Sequence, residues 1–575
     1  AWEDSVMPDL AESRIGSWGG VLASLLLLTL QVYSQPPGVA AKKEDGANGF
    51  ITGRIIRDDG EPVVGQNVMI IHSSIEDSQR QKQRFLTVAT DDDGVFKSPE
   101  LEYATYRVQV NVPGYVNASL GNNLSKLTGG ATYLPGDIVN ISLTPGGVIT
   151  GKVTSTTGKP IVAANVNVVR VKDGDGIAVL PDEAFNSART DDRGIYRVFG
   201  LPAGNYLVSS NGVGFALGMV REVVEYYPAG PVTTAQEVSV TLGNVTSGID
   251  IRHGGKIGHV VTGSVTGAKS GSSVVAVRVF SADSGQMVAM SIARSETQRY
   301  LITGLSDGDY FAIAYQSPDK PYGDIFVADS APRKFSIKGN DPSGIDLRLR
   351  LTSGISGNVT IAPGEVSCTT GKKIRPDSIV LSLIPENATD ILLTRFYRDL
   401  TSDPKGNFSL SGLPSGRMRF DIELPGDNWY VKSLTMPMLG TVKPARVSAG
   451  GWIPLTSGAK VADISLTVAE GAAQLYGNAA VAENGRAFLI PVDKELAGDI
   501  SRHYEVIGRA GKFSFKNVAP GKYWILWKGG EVAASASPEA FDAESRAALR
   551  KSAEAAGKLV ELAPCQKVDG VKFLK

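Results

Sequence analysis

The sequence predicts an all-β chain: five tandem antiparallel β-sandwich domains in a semi-rigid string, with one short helix in the last. Three observations predict it. Three short sequence patterns recur in the same order five times along the 575 residues. The copies are spaced by about the length of one small sandwich domain. The composition, with 65 Gly and 30 Pro but only 4 His and 2 Cys, is rich in turn formers and poor in metal ligands and acid–base groups. With 58 Lys+Arg against 59 Asp+Glu the chain is near neutral, so it has no general attraction for nucleic acid or an anionic membrane. A hydrophobic content of 42% supports buried cores and excludes global disorder.

The amino terminus reads as a targeting segment. Arg14 precedes an apolar run at 21–30, which is too short for a membrane-spanning helix of ~20 residues. It fits the core of a secretory signal, with Val32 and Ser34 preceding a cleavage site. Residues 1–34 are therefore expected to be a signal peptide and 35–49 a linker, which points to a secreted or cell-envelope protein. A signal retained as an anchor is the alternative.

The first repeated pattern is a strand with a central glycine. It reads Ile51-Thr52-Gly53-Arg54-Ile55, Ile149-Thr150-Gly151-Lys152-Val153, Val261-Thr262-Gly263-Ser264-Val265, Ile355-Ser356-Gly357-Asn358-Val359 and, more weakly, Leu475-Tyr476-Gly477-Asn478-Ala479. Alternate apolar residues place one face of each strand in a core. The second pattern is a turn followed by an aromatic strand start, as in Thr190-Asp191-Asp192-Arg193-Gly194-Ile195-Tyr196 and then Leu201-Pro202-Ala203-Gly204-Asn205-Tyr206. Asp and Gly suit such turns because Asp accepts from nearby amides and Gly tolerates positive φ. Copy three carries Gln298 at the first glycine position, and copy four carries Met418 at the final tyrosine position. Positions 94, 194, 298, 406 and 511 are spaced by 100, 104, 108 and 105 residues. A closing strand ends each copy, as in Val139-Asn140-Ile141 and Ile249-Asp250-Ile251.

These patterns set expected boundaries of 50–145, 146–253, 254–350, 351–467 and 468–575. Links of 10 to 13 residues between a closing strand and the next central glycine favour a string of limited freedom. Ser537-Pro538-Glu539 and Gly557 bracket a helix expected over 538–556 in the fifth copy.

The copies resemble carboxypeptidase regulatory-like domains, copy two most closely, through Ile149–Val153, Gly158-Lys159-Pro160, Thr190–Arg197 and Gly200–Tyr206. The resemblance implies a transthyretin-like, Ig-like sandwich, grouped with carbohydrate-binding-like folds, in an extracytoplasmic and often bacterial setting. Its motifs are turns and core aromatics, so they carry a fold and no ligand.

No catalytic or metal constellation emerges, and no cofactor is expected. Gly304-Leu305-Ser306-Asp307-Gly308 has the spacing of a nucleophile elbow, but it occupies the turn that reads Leu-Pro-Ala-Gly in copy two. His72, His253, His259 and His503 are scattered. Asp91-Asp92-Asp93 lacks the alternation of a calcium loop. Tyr226, Tyr227, Trp429 and Trp452, with Tyr430, are candidate sugar-stacking rings, although such rings are more often packed core or loop anchors. Cys368 and Cys565 fall in neighbouring copies, where a disulfide and two unpaired thiols are both open. The expected function is a non-enzymatic extracytoplasmic scaffold or spacer. The alternatives are a carbohydrate-binding protein of the cell envelope and a subunit of an envelope complex. Polysaccharide and envelope proteins are the expected partners, nucleic acid is not, and no integral membrane domain is expected after signal cleavage.

Overall fold

The computed structural model describes residues 48–572 apart from 74–84, 118–130, 180–185, 211–221, 269–273, 284, 286, 295–296, 318–326, 364–365, 369–372, 387–399, 438–445, 449–450 and 533–537. The expected signal peptide at 1–34 lies outside the described residues, as does Ser537. Residues 45–575 form one compact unit.

The chain is all-β, as expected. In copy one, Thr52–Arg57 pairs antiparallel with Val95–Lys97 and parallel with Ile138–Pro145, which in turn pairs with Tyr115–Asn117. The second sheet runs Phe85–Ala89, Asn67–His72, Tyr106–Val110, Thr132–Tyr133. Alternating residues Ile51, Ile55, Val68, Ile70, Phe96, Tyr106 and Val139 fill the space between the sheets. Copies two, four and five repeat this two-sheet plan. Two features depart from a purely antiparallel two-layer sandwich. The opening and closing strands of every copy run parallel, because the chain crosses through the second sheet between them. In copy three, Ala328–Ser330 pairs with both Gly308–Gln316 and Leu347–Leu351 and joins the layers into one eight-stranded sheet.

The repeated glycine of the opening strand answers a close approach. A Cβ there would lie 1.9 Å from the Val139 carbonyl oxygen at Gly53, and 2.0, 2.1 and 2.2 Å from those of Ile249, Ile345 and Ile464 at Gly151, Gly263 and Gly357. Gly477 keeps the same relation to Val571 at 2.7 Å. Opposite these glycines in the antiparallel register stand Phe96, Tyr196, Tyr300, Phe408 and Phe513. Their rings cover the gap that the missing side chain leaves. Where the ring is a tyrosine, its hydroxyl donates to the same carbonyl, as Tyr196 does to Ile249 at 2.6 Å and Tyr300 to Ile345.

The turn aspartates are also structural. Asp91 Oδ1 accepts from the amides of Asp93 and Val95, Asp191 from Arg193 and Ile195, and Asp403 from Lys405 and Asn407. These bonds, led by the Ile195 amide, hold the Asp191 carboxyl below the usual range. Gly194 completes the turn at φ +73°, and Gln298 adopts the same left-handed region at φ 52° in copy three. The later tyrosine forms a corner: the hydroxyls of Tyr106, Tyr206, Tyr310 and Tyr523 donate to the carbonyls four residues upstream. Met418 fills that position in copy four as a buried apolar side chain.

The expected helix forms over Ala543–Ala556, after a short 3-10 turn at Glu539–Phe541. Its N-cap is Asp542, whose carboxylate accepts from the Ser545 amide, so Pro538 precedes the helix and does not open it. Gly557 ends it with ordinary extended dihedrals. Glycine is needed there because a Cβ would meet the Ala553 carbonyl at 2.5 Å and Trp524 at 2.9 Å.

The short links lead to a string of copies, and the structure shows that string folded back on itself. Copies three, four and five share one apolar cluster that includes Phe280, Tyr315, Leu381, Trp429, Phe488 and Leu549. Copy one touches copy four: Thr105 Oγ1 donates to the Ser378 carbonyl at 3.0 Å, and Thr132 Oγ1 to Glu423 at 2.7 Å. Copy two touches copy five: Arg509 pairs with Asp173 at 2.6 Å and Asp175 at 2.5 Å.

Candidate functional site

The four aromatic residues singled out as sugar platforms are distributed, and each ring is engaged in packing. Tyr226 lies on the edge strand Glu225–Tyr226, opposite Ser209. It is half-buried, and burial pushes its phenol up to about 12, with a smaller contribution from Tyr310 of copy three. Tyr227 packs against the copy-two core, beside a cis peptide bond to Pro228. Trp429 is only 6% exposed and belongs to the apolar cluster of copies three to five. Its carbonyl accepts from Asn517 of copy five at 2.7 Å. Trp452 is half-buried, with its ring 5.8 Å from that of Phe541 and the Arg417 guanidinium 5.6 Å from its centroid. Arg502 similarly covers Tyr430 at 5.7 Å. The structure does not bring Tyr226 and Tyr227 together with Trp429 and Trp452 into one surface. Trp429, Tyr430 and Trp452 instead line the contact between copies four and five.

The polar candidates resolve into local structure. Ser306, in the elbow-like sequence, sits in a corner turn with its hydroxyl 3.1 Å from that of Tyr310. His259 lies between Asp307 at 3.2 Å and Asp341 at 3.0 Å, and His253 pairs with Glu222 at 2.8 Å. His72 packs edge-on against Tyr106. His503 is buried, which pushes its imidazole towards the neutral form while Nδ1 lies 3.0 Å from the Asp499 carbonyl oxygen. Among the described residues no group of three or more His, Cys, Asp or Glu could hold a metal ion. Nor is any described helix long and apolar enough to cross a membrane.

Cys368 and Cys565 are joined by a disulfide, with their Cα atoms 5.7 Å apart. It links a loop of copy four to the turn before the last strand of copy five. Both cysteine amides are anchored close by, Cys368 on Glu470 at 3.0 Å and Cys565 on the Gly471 carbonyl at 3.1 Å.

Several residues that the sequence did not single out also join copies. The Arg375 guanidinium sits 4.2 Å from the centre of the Tyr103 ring in copy one and pairs with its own neighbour Asp377. Arg107, almost fully buried, faces Glu423 at 3.6 Å. Asn484 of copy five donates to the Asp175 carbonyl at 2.7 Å. At the boundary of copies three and four, Asp329 is buried against Arg350 at 3.6 Å. Burial pushes its carboxyl up to about 6, with Arg350 and the Ser415 amide opposing the shift. Among the described residues none of these groups is arranged as a nucleophile with its base, and their geometry is that of docking between copies.

Glycine, turn aspartate, covering aromatic and corner tyrosine occur together in copy two, and there the comparison with known families is decisive. Residues 148–252 match the carboxypeptidase regulatory-like domain. The carboxypeptidase regulatory-like domain thus covers the whole of copy two, from the strand Gly147–Ser155 to Ile251–His253. Several solved structures are similar to the chain. The Bacillus anthracis TIE protein is 10% identical over 74% of this chain and 70% of its own, with a TM-score of 0.14. GBS52, the minor pilin of Streptococcus agalactiae, is 14% identical over 39% of this chain and 99% of its own, with a TM-score of 0.19. BcpA, the major pilin subunit of Bacillus cereus, is 11% identical over 52% of this chain and 99% of its own, with a TM-score of 0.13. No curated protein matches the chain.

Proposed function

We propose that this protein is a non-enzymatic extracytoplasmic scaffold in which five sandwich domains of the carboxypeptidase regulatory-like kind, bounded at 50–145, 146–253, 254–350, 351–467 and 468–575, pack into one body. One observation carries the reading: every element that recurs between copies is committed to the backbone. The glycine admits a carbonyl, the aspartate caps a turn, and the tyrosine closes a corner. Several of the residues that vary between copies hold them together, among them Arg107, Arg375 and Arg509. The extracytoplasmic setting is supported by the Cys368–Cys565 disulfide, since such bonds persist in oxidising compartments. It also agrees with the signal-like segment at 21–30.

Two measurements on the full chain test this reading. Thiol labelling in intact cells is expected to modify neither cysteine until the protein is denatured and reduced. Labelling without reductant would remove the extracytoplasmic assignment. A glycan array with envelope polysaccharides is expected to show no saturable binding. Binding that is saturable and lost in Tyr227→Ala with Trp452→Ala would replace the scaffold reading by the carbohydrate-binding one.

A further inference from the structure

We propose that copies one and two form an arm that is latched to copies three, four and five mainly by polar contacts, and that this latch opens without unfolding either part. The apolar clusters divide the chain at this point. The core of copy one is made only of residues 51–143, and that of copy two only of residues 149–251. The cluster of the other part runs from Phe280 to Ala553 and passes through three copies. The one disulfide stays inside that part as well. A shared apolar cluster therefore holds these three copies together, with a covalent bond between the last two, and among the described residues neither extends into the arm.

Among the described residues, most of what crosses from the arm is charged or hydrogen-bonded, besides the buried Tyr103 ring and Tyr226, which lies near Tyr310 of copy three. Arg107 and Thr132 meet Glu423, Thr105 meets the Ser378 carbonyl, and Tyr103 lies under Arg375. Asp173 and Asp175 meet Arg509, and the Asp175 carbonyl accepts from Asn484. Closing such a latch takes charges out of water. The desolvation offsets much of the attraction, so the closed and open forms lie near balance. The arm's own structure does not depend on closure. Asp173 Oδ1 is already held by the amides of Asp175 and Ile177, both within its turn.

The connection between the parts is suited to turning. The link Gly254–Ile257 is clipped to the arm, where the Val223 amide donates to the Lys256 carbonyl at 2.9 Å and His253 pairs with Glu222. The following Gly258 is seated on copy three, where a Cβ would lie 2.5 Å from Gly304. Ile257 is bridged to Glu222 of the arm, yet its side chain is 65% exposed, so the joint falls at the Ile257–Gly258 step with little packed on it.

Small-angle X-ray scattering of the oxidised full chain tests the latch. The wild type is to be measured at low and at 1 M salt, beside the double variant Arg509→Glu with Glu423→Arg. The variant sets like charges against Asp173, Asp175 and Arg107. Opening is expected to raise the radius of gyration by about a fifth or more over that of a single compact body. Circular dichroism and the melting profile of the carboxy-terminal part should stay as in the wild type. The same rise at 1 M salt in the wild type would show screening acting on the latch itself. A radius of gyration unchanged in the folded double variant would overturn the proposal, whatever salt does.

Discussion

Replacing Gly151 by Ala places a methyl group where the structure has a carbonyl. The new Cβ would lie 2.0 Å from the Ile249 oxygen and 2.4 Å from its carbon, both backbone atoms that cannot rotate away. Relief requires the opening and closing strands to separate, which also pulls the Ile249 carbonyl from the Tyr196 hydroxyl, now 2.6 Å away. Overpacking of this kind costs about 1–3 kcal/mol. The lost buried hydrogen bond adds about 1 kcal/mol. Against this, alanine is favoured over glycine within a strand by roughly 0.5–1 kcal/mol. The net destabilisation of copy two is therefore about 1–3.5 kcal/mol, a loss of roughly 5- to 400-fold in the equilibrium for its opening. Hydrogen exchange read by mass spectrometry on peptides covering Gly147–Ser155 and Ile195–Leu201 measures that change locally in the full chain. Gly498→Ala is the control, since that glycine lies outside the left-handed region and has nothing within 4 Å of a Cβ. If Gly151→Ala lowers protection no more than Gly498→Ala does, close approach is not the reason this glycine recurs.

Other perturbations follow from the same geometry. Tyr206→Phe removes the corner bond to the Pro202 carbonyl and is expected to cost copy two about 1 kcal/mol, measured as a shift of its calorimetric transition. The Asp329 carboxyl is raised from 3.8 to about 6, so the folded chain binds that proton more tightly than the unfolded one. Its contribution is full below about pH 4 and is lost as pH rises through 6, a change of about 3 kcal/mol. Asp329→Asn is expected to abolish that slope in urea midpoints taken between pH 4.5 and 7. Cys368→Ser with Cys565→Ser opens a bridge across 197 residues, whose loop-closure value in a fully unfolded chain is about 5 kcal/mol. Because copies four and five are also joined by an apolar cluster, a smaller fall in the melting temperature of the carboxy-terminal part is expected, matched by adding reductant to the wild type.

Much of the fold was legible because its signals recur. The glycine at 53, 151, 263, 357 and 477, the aspartate turns and the corner tyrosines each answer a backbone requirement that arises once per sandwich. The helix was legible from its composition, but its N-cap was misplaced. Asp542 competes with Ser537 as a start signal, and only the 3-10 turn between them decides. The parallel closing strand was not legible, because a strand's direction leaves no mark on its own residues. The packing of the aromatic candidates was equally hidden. Trp452 offers no sign in the sequence of what it packs on, since its partner Phe541 lies almost ninety residues later.

Contacts between copies follow a different logic, and one position shows why they escape a search for repeats. The residue after the corner tyrosine points to the opposite face of the sheet, away from the sandwich core. It is Arg107 in copy one, Leu207 in copy two, Phe311 in copy three, Arg419 in copy four and Trp524 in copy five. Arg107 meets Glu423 of copy four, and Phe311 packs onto the cluster shared by copies three to five. Arg419 lies over the Phe541 ring of copy five at 5.1 Å, and Trp524 lies beneath Arg550 of the helix at 5.1 Å. The frame places this side chain identically each time, while the surface it meets differs each time. Selection on the frame therefore yields a repeat, and selection on the neighbour yields a position without one. Divergence at a fixed place in a repeating frame is itself the sequence mark of an interface.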